Sequence, residues 1–407
     1  MNSHSLPARS RFAGSGSGRF VVLLLVLVLT QACGQHAQTQ DPPKAKVGVS
    51  LAANDTALFM AGLRGRPDGP YSKLEETEAW RAYAKEFDAI WGNLEKGQFT
   101  KVDEFQKREL APVKTESSFV FYPLSGPDVL YANRFFPDAR LFVFAGLEPV
   151  GNLRSPDTYR PETIDRDTKL WRMGVSSIIE RSFFVTSEMD QQFRGKVTDG
   201  LLPMIVLLLA RSGHTIEDVR YHHLTEDGKL VDETPGTNPR KHETVEVQYR
   251  RGTDPTIRTV YYFSRDLAAG FENNPAFSRF LISLGTPDTL VKSGSFLLHW
   301  QMCKALRQFI LDRSNMILQD DTGVPYGYFR NAGWEVRLFG QYSRPDKPFT
   351  NQYQKDLAAA FEDPAKVRKL GFPLGYGAKR RPSSMILAMR PVKAEAKTGP
   401  PKPDVKN

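Results

Sequence analysis

Cysteine is nearly absent from this 407-residue chain, with only Cys33 and Cys303. That excludes a disulfide-dense scaffold and most cysteine-based zinc sites. Also missing are HExxH, paired CxxC, an EF-hand loop and the P-loop, so no metal is assigned to any residue. No apolar run reaches the roughly 20 residues of a bilayer-spanning helix. Nor does one sign of charge dominate the body of the chain. Of the net +9, three charges are Arg9, Arg11 and Arg19, in a leader without acids. Six more come from the last stretch, Lys379–Asn407, where eight Lys and Arg face Glu395 and Asp404. Residues 33–378 sum to zero. A protein that tracks phosphates carries its basic charge on the folded surface, so nucleic acid is not expected as a partner. What is present is a 40% hydrophobic composition. That is enough to build a sizeable core and excludes a wholly disordered chain.

The leader has the parts of an export signal. The basic Arg residues precede the eleven-residue apolar run Phe20–Thr30, the length of a signal-peptide core. Gln31-Ala32-Cys33-Gly34 follows and resembles a bacterial lipobox. Thr30 stands where that pattern favours Leu, with Leu29 one step further back. The resemblance implies lipidation at Cys33, a membrane contact through that lipid, and a place on the periplasmic face of the cell envelope. It also implies the outer membrane in a diderm, because Gly34 rather than Asp follows the cysteine. The expected organisation is a signal peptide over 1–32, a polar tether over 33–52, one large domain over 53–390 and a Lys/Pro-rich disordered tail over 391–407.

Hydrophobic patterning points to an α/β fold with a mixed, partly parallel sheet flanked by helices. Residues 55–110 read as helical. Ser118–Tyr122 and Arg140–Ala145 read as buried strands joined by a helix over Val129–Phe136. This is a Rossmann-like βαβ unit over 118–147, with Pro127 and Asp128 suited to the helix start. Leu202–Ala210 is apolar all round and reads as a buried helix with a Gly stop. Residues 215–265 read as a β-hairpin insertion. Helices are expected over Asn274–Leu284, Lys304–Arg313 and Gln354–Phe361. Strands are expected at Met316–Leu318, Trp334–Gln341 and Met385–Met389. Leu124–Ala132 (LSGPDVLYA) echoes Leu284–Lys292 (LGTPDTLVK). The plain reading is two independent helix caps, and the other is a duplicated βαβ unit.

The block FYPLSGPDVLYANRFFPDARLFVFAGLEPVG and the later ILQDDTGVPYGYF resemble a family of uncharacterised exported bacterial proteins. That family has no established activity, so the resemblance implies a shared fold and no catalytic roles.

The candidate ligand or catalytic residues are Asp128, Glu148, Asp320 and Asp321, chosen by position in such a fold. Glu148 follows Gly126 by the interval at which dinucleotide-binding domains place a ribose-binding acid. PLSGPD, however, has one glycine where that fingerprint needs three, and Asp128 at the helix start repels phosphate. No cofactor is therefore assigned. Asp320-Asp321 sits at a strand end, where open α/β sheets hold ligands and where paired acids suit acid–base work. Asx turns explain the same pair without a ligand. His222 and His223, adjacent on a strand, are expected on opposite faces. Lys292, Ser293, Ser295 and His299 cluster in sequence, but Gly294-Ser295-Phe296 is not a GxSxG elbow. Cys303 reads as a buried thiol on a helical face. Two functions follow. One is an envelope protein that binds an unknown small molecule or another envelope protein. The other is an enzyme with Glu148, Asp320 and Asp321 converging in one cleft, methyltransferase-like or hydrolytic.

Overall fold

The computed structural model describes residues 51–181, 200–233, 242–342, 345, 347–377 and 382–391. The expected leader, Cys33, nearly all of the tether and the basic tail beyond Pro391 lie outside these residues. The described residues belong to one compact unit.

The expected α/β architecture is present, built on one eleven-stranded mixed sheet. Its strands are β1 (Phe119–Pro123), β2 (Leu141–Gly146), β3 (His214–Leu224), β4 (Leu230–Glu233), β5 (Thr244–Arg251), β6 (Arg258–Ser264), β7 (Pro287–Val291), β8 (Met316–Gln319), β9 (Glu335–Gly340), β10 (Val367–Arg368) and β11 (Ser384–Met389). The order is β10-β9-β11-β8-β7-β1-β2-β6-β5-β3-β4. β8, β7, β1, β2 and β6 run parallel, and β11 lies antiparallel between β8 and β9.

The continuous apolar runs of the central strands follow from burial on both faces. In β1, Val120 and Tyr122 enter one core, and Phe119 and Phe121 enter the other. The first core is closed by helices α1 (Leu51–Met60), α2 (Glu78–Leu94), α3 (Val129–Phe135), α4 (Ile164–Arg181) and α5 (Leu202–Arg211). The second is closed by α6 (Pro275–Ser283) and α7 (Lys304–Arg313), with shorter helices at Tyr326–Asn331 and Lys355–Phe361. Every residue of α5 is buried, and Gly213, at φ +77°, turns the chain just after it. Among the described residues no helix is long and apolar enough to cross a membrane.

Residues 215–265 hold the expected antiparallel hairpin pairings, β3 with β4 and β5 with β6, and β6 also pairs in parallel with β2 from Leu141↔Thr259 to Gly146↔Ser264, so these strands extend the main sheet. One expectation needs correction: the two Pro-Asp steps are not two helix caps. Asp128 caps α3, its side chain accepting from the Tyr131 amide at 3.2 Å, whereas Asp288 is the second residue of β7. The Thr and Val of PDTLV are β-branched and favour the strand.

Candidate functional site

From β1 the chain winds through α3 to β2 and on to β6. It then returns to the other side of β1 for β7 and β8, with α6 and α7 on the opposite face. The strand order thus reverses between β1 and β7, and open α/β sheets bind ligands beyond the carboxyl ends of the strands at such a switch point.

Lys292, the residue after β7, stands in this crevice. Its Nζ lies 2.8 Å from Asp128 Oδ2, with both side chains 2% exposed. Tyr122 donates its hydroxyl to the same oxygen at 2.9 Å. The Lys292 ammonium also lies 4.5 Å from the centre of the Tyr131 ring. Burial pushes the Asp128 carboxyl above its ordinary range against the opposing pull of Lys292, and pushes the Tyr122 phenol well up. Asp128 is therefore occupied as a helix cap and a counter-ion. Its carboxylate takes the position at the α3 N-terminus where a phosphate group would bind.

On the other side of Lys292, Asp320 organises two loops. Its Oδ1 accepts from the Thr322 amide and hydroxyl at 3.0 and 2.5 Å, and its Oδ2 accepts from the Ser293 amide at 2.8 Å. Thr322 Oγ1 accepts in turn from the Gly294 amide at 2.7 Å. Burial raises the Asp320 carboxyl as well. Asp321 is 8% exposed, and its carbonyl accepts from Gln354. This confirms the Asx-turn reading for Asp320, which spans two loops rather than one.

The loops are strained. Leu124, Ser293, Ser295 and Phe296 are the non-glycine residues with positive φ among the described residues, at +52° to +59°. All four lie in the turns that follow β1 and β7. Left-handed backbone costs an L-residue roughly 1–2 kcal/mol, and such strain gathers at binding and active sites. The Ser293 Oγ is buried there without a hydrogen-bond partner among the described residues. A segment from Phe372 to Tyr376 covers the loops. Gly375, at φ +56°, packs so closely that a Cβ would sit 2.6 Å from Asp320 Oδ2, and Tyr376 and Ser295 share a hydroxyl hydrogen bond of 2.9 Å. Gln98 ties this cover to the helical layer, donating to the Pro373 carbonyl at 2.6 Å and to the Tyr131 hydroxyl at 3.1 Å.

Glu148 does not join Asp320 and Asp321. It follows β2, three strand positions from β8, or about 14 Å at the strand spacing. Its carboxylate folds back over its own strand end, where a Cβ on Gly146 would meet Oε2 at 2.6 Å. Tyr262 of β6 donates to the Glu148 carbonyl at 2.8 Å, on the side away from β1. Glu148 therefore occupies a part of the sheet edge separate from that of Asp320 and Asp321.

The remaining candidates read as structure. His222 is buried and lies 2.8 Å from Glu246, whereas His223 is exposed, so the two do face opposite ways. The His299 ring packs edge-on against Phe296, and burial pushes its pKa down to about 4. Cys303 is 1% exposed with its thiol pKa raised by burial, as an inert core thiol should be. Among the described residues no three His, Cys, Asp or Glu side chains are grouped to hold a metal ion. Sequence reasoning noted Lys292 only as a neighbour of His299 and passed over Tyr122. A lysine directly after the fully buried strand PDTLV was the available signal.

No protein-family model, curated protein or solved structure matches the chain.

Proposed function

We propose that this protein is an exported binding protein, anchored to the envelope through a lipid on Cys33. Its small polar ligand docks over the carboxyl ends of β1, β7 and β8. The observation that carries the reading is the concentration of left-handed, non-glycine residues in the two switch-point loops. Left-handed backbone at four residues with side chains is costly, and such strain gathers where backbone or side chains serve a site. The Ser293 hydroxyl, without a hydrogen-bond partner among the described residues, is the polar group at this place. Its chemistry suits a ligand hydroxyl, amide or carbonyl.

A second reading is a methyltransferase-like enzyme. It is favoured by the parallel core, whose strand order reverses between β1 and β7 as in nucleotide-binding α/β sheets. This is analogy at the level of fold. The residues fit such a cofactor poorly. The crevice between β1 and β7 holds the Asp128–Lys292 pair, and the β1 turn has a single glycine, Gly126, between Leu124 and Asp128. No catalytic step is assigned.

A thermal-shift screen of small polar compounds on the full chain in detergent separates the two. The binding reading expects hits whose shift is lost in Ser293→Ala, and no shift with S-adenosylhomocysteine. A clear shift with S-adenosylhomocysteine, or hits indifferent to Ser293→Ala, counts against it.

A further inference from the structure

A cleft of about 390 Å³ lies where α3 and α5 end, beside the first residue of β3. Helix α3 separates it from the switch point: Asp128 caps one end of this helix, and Arg134, in its last turn, lines the cleft at the other. Two polar side chains that are more than nine-tenths buried line it, His214 at 7% and Gln106 at 9% exposed. His214 Nδ1 donates to the Leu209 carbonyl at 3.2 Å, and burial lowers the ring's pKa to about 4, so the imidazole is neutral. Its single N–H is thus spent on Nδ1, and Nε2 keeps a lone pair that no described residue engages. Gln106 opens a five-residue π-helical turn, Gln106–Leu110, closed by the Ala111 amide donating to the Gln106 carbonyl at 2.8 Å. Such turns are rare and gather at functional sites. The Gln106 side-chain amide has no hydrogen-bond partner among the described residues either. Neither group is sealed off, since the polar atoms cut off from both solvent and partners do not include them. Charges of both signs surround the cleft. Arg134 is held by Glu95 and by Asp103, the latter at 2.9 Å, and Lys107, Arg251 and Asp138 stand exposed on the rim.

We infer that this cleft binds a neutral hydroxylated ligand, a sugar or polyol, one hydroxyl donating to His214 Nε2 and others exchanging hydrogen bonds with the Gln106 amide. The lone pair of a neutral ring calls for a donor, and a side-chain amide calls for a donor and an acceptor. A hydroxyl supplies both from one atom and brings no charge. An ammonium would meet Lys107, Arg134 and Arg251 here, and a carboxylate would meet Asp103, Asp138 and the lone pair of His214. Ser212 Oγ donates to the Leu208 carbonyl at 2.8 Å and keeps lone pairs for a further hydroxyl. Leu130 and Pro137 give an apolar wall for the C–H face of a ring. Past Gln106, Pro137 and Asp138 the space continues into an adjoining cleft of about 400 Å³. Each volume lies in the range of small-molecule sites, and the two together hold more than one ring. The site is independent of the one over β7.

Saturation-transfer-difference NMR tests this on the full chain in a detergent without a sugar headgroup. The probes are neutral monosaccharides, disaccharides and polyols, together with the matching amino sugars and uronic acids, and each binder is titrated. At least one neutral compound should bind, and its charged counterparts should bind no more tightly. His214→Phe keeps the ring and removes the acceptor, and should weaken binding tenfold or more. Gln106→Leu should weaken it several-fold, and that variant keeps the test open if His214→Phe fails to fold. The inference is overturned if no neutral compound binds, if only charged derivatives bind, or if a binder tolerates both substitutions. A binder lost in Ser293→Ala but unchanged in His214→Phe also overturns it, while leaving the switch-point reading intact.

Discussion

The Lys292 ammonium and the Asp128 carboxylate meet at 2.8 Å between the carboxyl ends of β7 and β1, each side chain 2% exposed. The pair joins the two halves of the sheet where its winding reverses. Breaking a buried pair from one side leaves a stranded charge and costs about 3–5 kcal/mol, whereas replacing both members is often nearly neutral. Lys292→Met should therefore lower the urea-unfolding free energy by about that amount, and Lys292→Met/Asp128→Asn should recover much of the loss. Equal, additive losses would show that the two residues act separately.

Backbone strain at Ser293 gives a second expectation. Ser293→Gly should raise stability by about 1 kcal/mol, because glycine accepts φ +55° without steric cost. Ser293→Ala removes a hydroxyl that has no hydrogen-bond partner among the described residues, so its unfolding free energy should stay within about 0.5 kcal/mol of the original. A large loss in Ser293→Ala would mean that the hydroxyl serves the fold.

Gly375 should tolerate no side chain. In Gly375→Ala the new Cβ meets Asp320 Oδ2 in a left-handed backbone, which should cost about 2 kcal/mol or more by chemical denaturation. An unchanged midpoint would show that the covering segment moves freely off the loops.

Acid should weaken the fold through two histidines. Burial lowers the pKa of His214 and of His299 to about 4, from an ordinary 6.5. The folded state thus holds these protons more weakly than the unfolded chain. The stability this confers is present above pH 6.5 and is lost as pH falls towards 4, on the order of 2–3 kcal/mol per site. Asp128, Asp288 and Asp320 act in the opposite sense, since burial raises their pKa above the ordinary range. Comparing His214→Gln with the parent isolates the histidine contribution, and the parent's advantage should shrink between pH 7 and pH 4.5. A constant gap would contradict a buried neutral imidazole at His214.

How far these features were legible in the sequence depends on the range of the interaction. SFVFY and RLFVFA read as parallel strands because burial on both faces leaves an unbroken apolar run, and β1 and β2 do pair in parallel. α7 runs over Lys304–Arg313 as its apolar spacing indicated. LGTPDTLVK misled because Pro-Asp before apolar residues suits a helix start as well as a strand start. The short turn between β5 and β6 suggested a closed hairpin, whereas the pairing of β6 with β2 depends on the order of the whole sheet. The same limit hid the site. The sequence places Asp128 at a helix start and Glu148, Asp320 and Asp321 after strands, but which of them meet depends on which strands are neighbours. That order sets Asp128 against Lys292 and carries Glu148 away.

The envelope assignment rests on Cys33. Cys33→Ser should abolish labelling of the protein by a fatty-acid analogue in a bacterial host that processes lipoproteins. Unchanged labelling would reject the anchor and leave the folded body's binding role standing.

The central claim, a ligand over the carboxyl ends of β1, β7 and β8, is tested most directly by hydrogen–deuterium exchange on the full chain with a compound found in the thermal-shift screen. Bound ligand should slow exchange over residues 292–297, 320–323 and 372–376, with little change elsewhere. Protection that leaves these three segments untouched would contradict the claim.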